Sequence, residues 1–257
     1  MNVTSLSFPN LRLIQFIYSY LFHKINKTFI ISLIILFFSK NEFLNMLNAP
    51  NNVVEVKHPL LQHKLSLMRV KKTRSVIFRA LMKEAGMILG VEATKELKSY
   101  EKNISTPLED MSATFLKEPE PAVVSILRAG NGLLEGLLQI LPSAAVGFLG
   151  MSRDHDTLKP IDYYQNLPAN MADRSVIIVD PMLATAGSGI EATRLVKDAG
   201  ATIITFVCLL AAPEGIKKFN ESHPDVRLVT GSIDRQLNEK GYILPGLGDA
   251  GDRIYGT

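Results

Sequence analysis

A short loop after an apolar run contains residue types that can bind a sugar phosphate. Residues 175–188 read SVIIVDPMLATAGS, so Asp180 ends the apolar run and residues 185–188 open a predicted helix. The unpaired N–H groups and the dipole at a helix N-terminus favour a phosphate, and Thr185 and Ser188 add hydroxyl donors. A carboxylate beside that phosphate can accept hydrogen bonds from ribose hydroxyls. The same pattern also caps helices in many α/β domains. The loop alone is therefore compatible both with a nucleotide-binding site and with a simple helix cap.

Two arginines follow other apolar runs. Arg128 comes directly after the run at residues 122–127, and the Ala-Gly pair that follows it lets the backbone approach a ligand. Arg153 follows a run that ends near Met151 and begins a polar stretch that reaches Pro168. We expect this stretch to be a mobile flap over the site. Either arginine, taken alone, is also compatible with a solvated surface position.

The C-terminal segment is rich in glycine. Gly246, Gly248 and Gly251 lie between Tyr242 and Asp252. Glycines let a main chain lie close against a flat ring. Without other information, the segment is equally a flexible Gly-rich tail.

A βαβ unit positions the first loop. Residues 175–210 have the pattern of a strand, a loop, a helix that ends at Asp198-Ala199-Gly200, and a second strand. Gly200 supplies the left-handed helix stop. Since the crossover in such a unit is right-handed, the loop lies at the carboxyl edge of the sheet, where open α/β folds bind ligands.

The rest of the body alternates between helical and strand patterns. Residues 73–97 predict an amphipathic helix with Thr73 as its N-cap. Its predicted apolar face contains Ile77, Leu81, Ala85 and Ile88. Short apolar runs predict strands at residues 122–127, 144–149, 175–179, 203–210 and 226–229. Because continuous apolar strands are buried on both faces, we predict an α/β fold with an open, mainly parallel sheet and helices on both sides.

Charge and cysteine content exclude some classes of protein. Residues 1–45 contain four basic residues and one acidic residue, which leaves 24 of each in the remainder. A neutral body lacks the basic footprint of a nucleic-acid-binding protein, so no nucleic-acid partner is expected. The single cysteine, Cys208, lies in an apolar run and precludes an intrachain disulfide. This composition fits a reducing, cytoplasmic location.

The N-terminal 45 residues differ from the rest. They contain seven of the twelve Phe and none of the seventeen Gly. The apolar stretch at 29–38 is about half of the roughly 20 residues that a membrane span needs, although its flanking Lys24, Lys27 and Lys40 would suit an interfacial anchor or signal. No membrane partner is expected for the catalytic domain. We interpret residues 1–45 as an atypical extension, disordered or not native, with Met46 as the true start. Residues 46–257 are then one catalytic domain.

The segment VDPMLATAGS resembles the binding motif for phosphoribosyl pyrophosphate (PRPP) in type I phosphoribosyltransferases, especially the DPMLATGGS form of uracil phosphoribosyltransferases. Further similar segments occur in the same order as in that family. They are EVKHPLLQHKLSLMR at 55–69, SILRAGNG at 125–132, MSRDHDTLKP at 151–160, AAPEGI at 211–216 and GYILPGLGDAGDRIYGT at 241–257. The resemblance covers the chain from residue 53 onward and implies a base-binding hood formed by the termini.

The resemblance implies the residues of two subsites. The PRPP-binding residues would be Arg128, Arg153, Asp180, Pro181, Met182, Leu183, Ala184, Thr185, Ala186, Gly187, Ser188 and Asp249. The uracil-binding residues would be Ile243, Gly248, Asp249 and Ala250. No protein side chain is implied as a metal ligand.

Two residues depart from related motifs. Ala186 stands where the family usually has Gly, and it would cost about 1 kcal/mol or more if its φ were positive. Val179 stands where many other phosphoribosyltransferases have a second acidic residue. Asp180 is therefore expected to act as a lone acid, with a second ribose contact from Asp249.

The implied reaction converts uracil and PRPP to UMP and diphosphate, a step of pyrimidine salvage, with Mg²⁺ carried by PRPP. Many family members are homo-oligomers, and some are allosterically activated by GTP. The resemblance therefore implies a homo-oligomer, with GTP as a candidate activator. Two alternatives stay open: a phosphoribosyltransferase for another base such as orotate or a purine, and a noncatalytic nucleotide-sensing regulator on the same fold.

Overall fold

Apolar runs and amphipathic helices alternate along the chain, and the computed structural model describes them for residues 52–153 and 160–257. The first half contains β1 (Val53–Glu55), α1 (Pro59–Arg69), α2 (Ser75–Ala93), β2 (Ser99–Ser105), β3 (Asp110–Leu116), β4 (Ala122–Leu127), α3 (Asn131–Ile140), β5 (Ala145–Arg153) and β6 (Pro160–Asn166). The second half contains β7 (Ser175–Val179), β8 (Met182–Leu183), α4 (Gly187–Asp198), β9 (Ile203–Ala211), α5 (Pro213–Ser222), β10 (Arg227–Ile233), β11 (Gln236–Leu237), β12 (Ile243–Leu244) and α6 (Ala250–Tyr255). The predicted extension at 1–45 lies outside the described residues.

The main sheet has eight strands in the order β1-β10-β9-β7-β4-β5-β6, with the short β8 paired to β9. All of its pairings are parallel except that of β5 with β6. Two antiparallel hairpins, β2–β3 and β11–β12, lie outside it. The predicted open, mainly parallel sheet is confirmed. The strand order reverses between β7 and β4, and open α/β folds bind ligands at such a reversal.

Helices cover both faces of the sheet. In β7, Ile177 and Val179 pack with buried residues of α1, α2 and α3, whereas Val176 and Ile178 pack with buried residues of α4 and α5. Each face therefore has its own apolar core, and a fully buried Val or Ile contributes about 1.5–3 kcal/mol to folding. This is why β4 and β7 are continuous apolar runs in the sequence.

The predicted helix at 73–97 is shorter and rotated in the structure. α2 begins after Arg74, and the Thr73 hydroxyl donates to the Leu67 carbonyl, 2.6 Å away, instead of capping the helix. Ile77 is 51% exposed, whereas Phe78 is fully buried. One residue corresponds to about 100° around a helix, so the buried face is rotated from Ile77 toward Phe78. Leu81 and Ala85 are buried as predicted.

The stretch after Arg153 is predicted to be a flap, and in the structure its second part is a strand. Pro160–Asn166 forms β6, an edge strand antiparallel to β5. The pairing has an irregular register at Gly150 and Met151. Residues 154–159 lie outside the described part of the chain. Within 52–153 and 160–257, none of the helices has both the length and the apolarity to cross a bilayer.

Candidate active site

The phosphate loop, residues 180–187, lies between β7 and α4 as predicted. Asp180 directly follows β7, and its backbone N–H donates to Val207 O at 3.1 Å. One carboxylate oxygen of Asp180 accepts from the Met182 N–H at 3.5 Å. α4 begins at Gly187, and its N-cap residue, Ala186, makes no side-chain capping hydrogen bond. The N-terminus of a 12-residue helix is thus open to an anion at the carboxyl edge of the sheet.

The other residues of this loop that are predicted to bind PRPP differ in burial. Pro181 and Leu183 are buried, and the Pro181 carbonyl accepts from Leu209 and Leu210 N–H, so both residues hold the loop against β9. Thr185 and Ser188 are half-buried at the start of α4. Their hydroxyls therefore stay within reach of a ligand at the helix N-terminus.

Ala186 is in a left-handed conformation, with φ 63° and ψ 0°. The steric clash of Cβ with the backbone costs an L-residue about 1–2 kcal/mol in this region. Ala186 is also buried. Of the two backbone conformations that the sequence allows for Ala186, the structure therefore has the strained one with positive φ.

The loop at Arg128 lies beside the phosphate loop. A Cβ on Gly130 would lie 2.6 Å from the Val179 carbonyl at the end of β7, so only glycine permits this approach. The Arg128 side chain is exposed, and its guanidinium carbon lies 5.7 Å from the centre of the Tyr255 ring. The Tyr255 hydroxyl donates to the Arg128 carbonyl at 2.9 Å.

Arg153 is the last residue of β5, and it pairs through its backbone with Pro160 of β6. β5 lies next to β4, with Leu127 opposite Gly150. The backbone of Arg153 is thus at the same edge of the sheet as Arg128. The side chain of Arg153 is outside the described part of the structure.

The base loop, residues 243–250, begins with β12 and ends at the first residue of α6. Ile243 and Ala250 are buried, whereas Gly248 and Asp249 are exposed. Asp249 caps α6, and its carboxylate accepts from Asp252 N–H at 3.0 Å. A cleft of about 310 Å³ separates this loop from the phosphate loop. It is lined by Met182, Ala184, Lys240, Gly241, Tyr242, Ile243, Gly248, Asp249 and Ala250.

The cleft brings together residues that are about sixty positions apart in the sequence and that were assigned to two different subsites. The family model for uracil phosphoribosyltransferase matches residues 54–257. The chain belongs to the uracil phosphoribosyltransferase family. The family assignment from the sequence motifs is therefore confirmed.

Individual relatives agree with this assignment. A uracil phosphoribosyltransferase from Mesorhizobium japonicum is 56% identical over 205 residues, which are 80% of this chain and 98% of the relative. One from Brucella ovis is 55% identical over 205 residues, which are 80% of this chain and 99% of the relative. The solved structure of the AQ2163 protein from Aquifex aeolicus superposes with a TM-score of 0.76 at 42% identity, covering 79% of this chain and 97% of that one.

Sequence reasoning missed an ion pair behind the base loop of this family member. The guanidinium of Arg69 donates to both carboxylate oxygens of Asp234, at 2.7 and 2.6 Å. Asp234 is 6% exposed. Burial alone would raise its pKa, but hydrogen bonds from Arg69 and the Gly246 N–H outweigh burial and hold the pKa of Asp234 below its usual value. Arg69 ends a segment that resembles the family, but its partner lies 165 positions away and no local pattern indicates it.

The two ends of the domain pack together as a hood. The Arg253 guanidinium on α6 donates to the carbonyls of Val70 at 2.7 Å and Leu247 at 2.9 Å, and also to Met68. It also lies over the Phe78 ring, 4.5 Å from the ring centre. The helix α1 and the base loop are therefore held against each other, as the predicted hood requires.

Proposed function

We propose that this protein transfers the phosphoribosyl group of PRPP to uracil, forming UMP and diphosphate for pyrimidine salvage. The observation that carries the proposal is the cleft between the phosphate loop and the base loop. It is lined both by Met182 and Ala184 and by Ile243, Gly248 and Ala250. In this proposal, a base bound by the base loop would lie next to the anomeric carbon of a sugar phosphate bound by the phosphate loop. Membership of the uracil phosphoribosyltransferase family supports the same pentosyltransferase reaction.

In this proposal, the start of α4 binds the 5-phosphate of PRPP. The uncapped N–H groups of its first turn and the hydroxyls of Thr185 and Ser188 supply the donors. Asp180 accepts hydrogen bonds from the ribose hydroxyls, and Asp249 gives the second ribose contact. These two carboxylates come from loops on opposite sides of the cleft, so together they would orient the sugar.

Arg128 and Arg153 would bind the diphosphate of PRPP. Both follow strands at the same edge of the sheet, and β4 and β5 are neighbours. A guanidinium matches phosphate oxygens with two parallel N–H donors, and it stays charged throughout catalysis. The two arginines would stabilise the charge that develops on the leaving diphosphate.

The backbone of the base loop would recognise uracil. Uracil presents alternating carbonyl and N–H groups, which backbone amides and carbonyls near Ile243, Gly248 and Ala250 can match. Gly248 has φ 83°, and this conformation is open to glycine but strained for other residues. The amino group of cytosine would meet a donor and leave buried polar groups unpaired, so cytosine would be rejected.

The reaction would be a displacement at the anomeric carbon, with oxocarbenium character in the transition state. The bond from uracil N1 to this carbon forms, the bond from the carbon to the diphosphate oxygen breaks, and the N1 proton passes to the diphosphate or to water. Mg²⁺ carried by diphosphate and ribose oxygens would neutralise the leaving group. The residues fit this use, because Asp180 and Asp249 each offer a single carboxylate beside the proposed ribose position. The protein would contribute positioning and electrostatic stabilisation.

We further propose a homo-oligomer in the cytoplasm. The β2–β3 hairpin supports association, because a lone hairpin is marginally stable in water and because Tyr100, Phe115 and Leu116 on it are 39–51% exposed. Light scattering measures the mass in solution, and a monomer at micromolar concentration would contradict the proposed homo-oligomer.

GTP is the candidate activator of the enzyme. Adding GTP to the steady-state assay described below tests this activation.

Steady-state assays test the proposed function. The full chain is mixed with uracil, PRPP and Mg²⁺, and both UMP and diphosphate are measured. We expect the two products in equal amounts and no product without PRPP. Binding of UMP without any turnover would instead support the regulator, and the proposed function would be refuted.

A further inference from the structure

We infer that the ion pair between Arg69 and Asp234 is a positioning device that holds the base loop in the shape that binds uracil. This inference rests on the proposed function, which assigns uracil to that loop. The two residues come from α1 and from the segment after β10, and they meet at the turn of the base loop. Arg69 and Asp234 belong to neither predicted subsite, and they do not line the cleft.

The carboxylate of Asp234 has no acceptor site left for a ligand. Its Oδ1 accepts from Arg69 Nη2 at 2.6 Å and from Ser232 Oγ at 3.2 Å. Its Oδ2 accepts from Arg69 Nη1 at 2.7 Å and from Gly246 N–H at 2.8 Å. A carboxylate has about four lone-pair sites, and all of them are used here. Asp234 therefore acts on the protein and not directly on a substrate.

The pair fixes both polar groups of one loop residue. The Gly246 N–H donates to Asp234, and the Gly246 carbonyl accepts from Arg69 Nη1 at 2.8 Å. Gly246 has φ 60°, and a Cβ on it would lie 2.1 Å from the Ile243 carbonyl. The turn from Ile243 to Gly246 is thus tight, and Arg69 and Asp234 hold it on the side away from the cleft. We call this pair of residues the clamp.

This clamp lies between two residues that line the cleft. Ile243 precedes Gly246 by three positions, and Gly248 follows it by two. A displacement of Gly246 would move both residues relative to the phosphate loop. If the clamp were lost, only a fraction of molecules would have a binding-competent loop, and the apparent affinity for uracil would fall by that fraction. PRPP binding would change less, because it depends mainly on α4, Asp180 and Arg128, and only its Asp249 contact lies in the base loop.

Two substitutions separate the parts of the clamp. Arg69→Lys keeps the positive charge but loses the fork that reaches both Asp234 and Gly246. Asp234→Asn keeps the size but places an amide where the carboxylate accepts from Arg69. We expect each variant to raise KM for uracil about tenfold, the effect of one or two lost hydrogen bonds. KM for PRPP should rise by a clearly smaller factor, because only the Asp249 contact lies in the base loop, and direct calorimetric binding of PRPP should give the same result.

An ion pair remote from the cleft supplies the matched control. Arg227 donates to Glu92 Oε1 at 3.0 Å, and both side chains are 16% exposed. Glu92→Gln and Arg227→Lys remove a comparable interaction between α2 and β10. These variants should lower the midpoint of thermal unfolding without changing either KM.

The outcomes distinguish this inference from the proposed function. A wild-type protein that makes no UMP refutes the proposed function, and the inference with it. An active wild type with unchanged KM for uracil in both folded clamp variants refutes the inference alone. An equal rise in KM for uracil and PRPP would also overturn it, because that result indicates a general structural defect.

Discussion

Replacement of Ala186 by glycine tests the strain in the phosphate loop. The substitution removes the left-handed penalty, which is about 1–2 kcal/mol for an L-residue. It also removes a methyl group that is buried in the structure, at about 0.8 kcal/mol, and it adds about 0.4–1 kcal/mol of chain entropy to the unfolded state. These terms nearly cancel, so we expect Ala186→Gly to change the free energy of unfolding by less than about 1 kcal/mol.

Ala184→Gly is the control, because Ala184 is buried in the same loop and has a negative φ. It has no strain to release, so its expected loss is about 1–2 kcal/mol. Urea unfolding gives both values if the slope m stays constant. The two alanine variants should differ by about 1–2 kcal/mol, the size of the left-handed penalty. Equal destabilisation in both variants would refute the strain at Ala186.

Other predictions concern the site and its surroundings. Arg128→Ala and Asp180→Asn should each lower turnover about tenfold or more while far-UV circular dichroism stays unchanged, and near-wild-type rates would remove that residue from the site. Since the pKa of Asp234 is lowered in the folded state, its stabilising effect is present above the unfolded value of 3.8 and is lost as the pH falls below it. The stability difference between wild type and Asp234→Asn should therefore shrink below about pH 4, and a constant difference would contradict the lowered pKa. Burial raises the pKa of Cys208 to about 12, so a thiol reagent should label it only on unfolding.

The parallel sheet was predictable because burial on both faces imposes continuous apolar runs. The runs for β4 and β7 end at Leu127 and Val179, as predicted. The loops that follow β4 and β7 could be predicted as well, because the end of each apolar run indicates where its loop begins. In contrast, β6 is an edge strand that contains Asp162, Gln165 and other polar residues, and such a strand has no apolar run to indicate it.

Other features depend on contacts that no local pattern records. The rotation of α2 depends on whether Ile77 or Phe78 meets the core, and both are apolar. The positive φ of Ala186 is imposed by the loop around it. The clamp on Gly246 joins residues 165 and 177 positions apart, so only the folded chain places Arg69 against Asp234 and the base loop.

A competition among bases tests the central claim most directly. The full chain is incubated with PRPP, Mg²⁺ and equal amounts of uracil, cytosine, orotate and hypoxanthine, and the products are identified by mass spectrometry. The account predicts that UMP forms and that the other three bases remain. Consumption of another base in preference to uracil would contradict it.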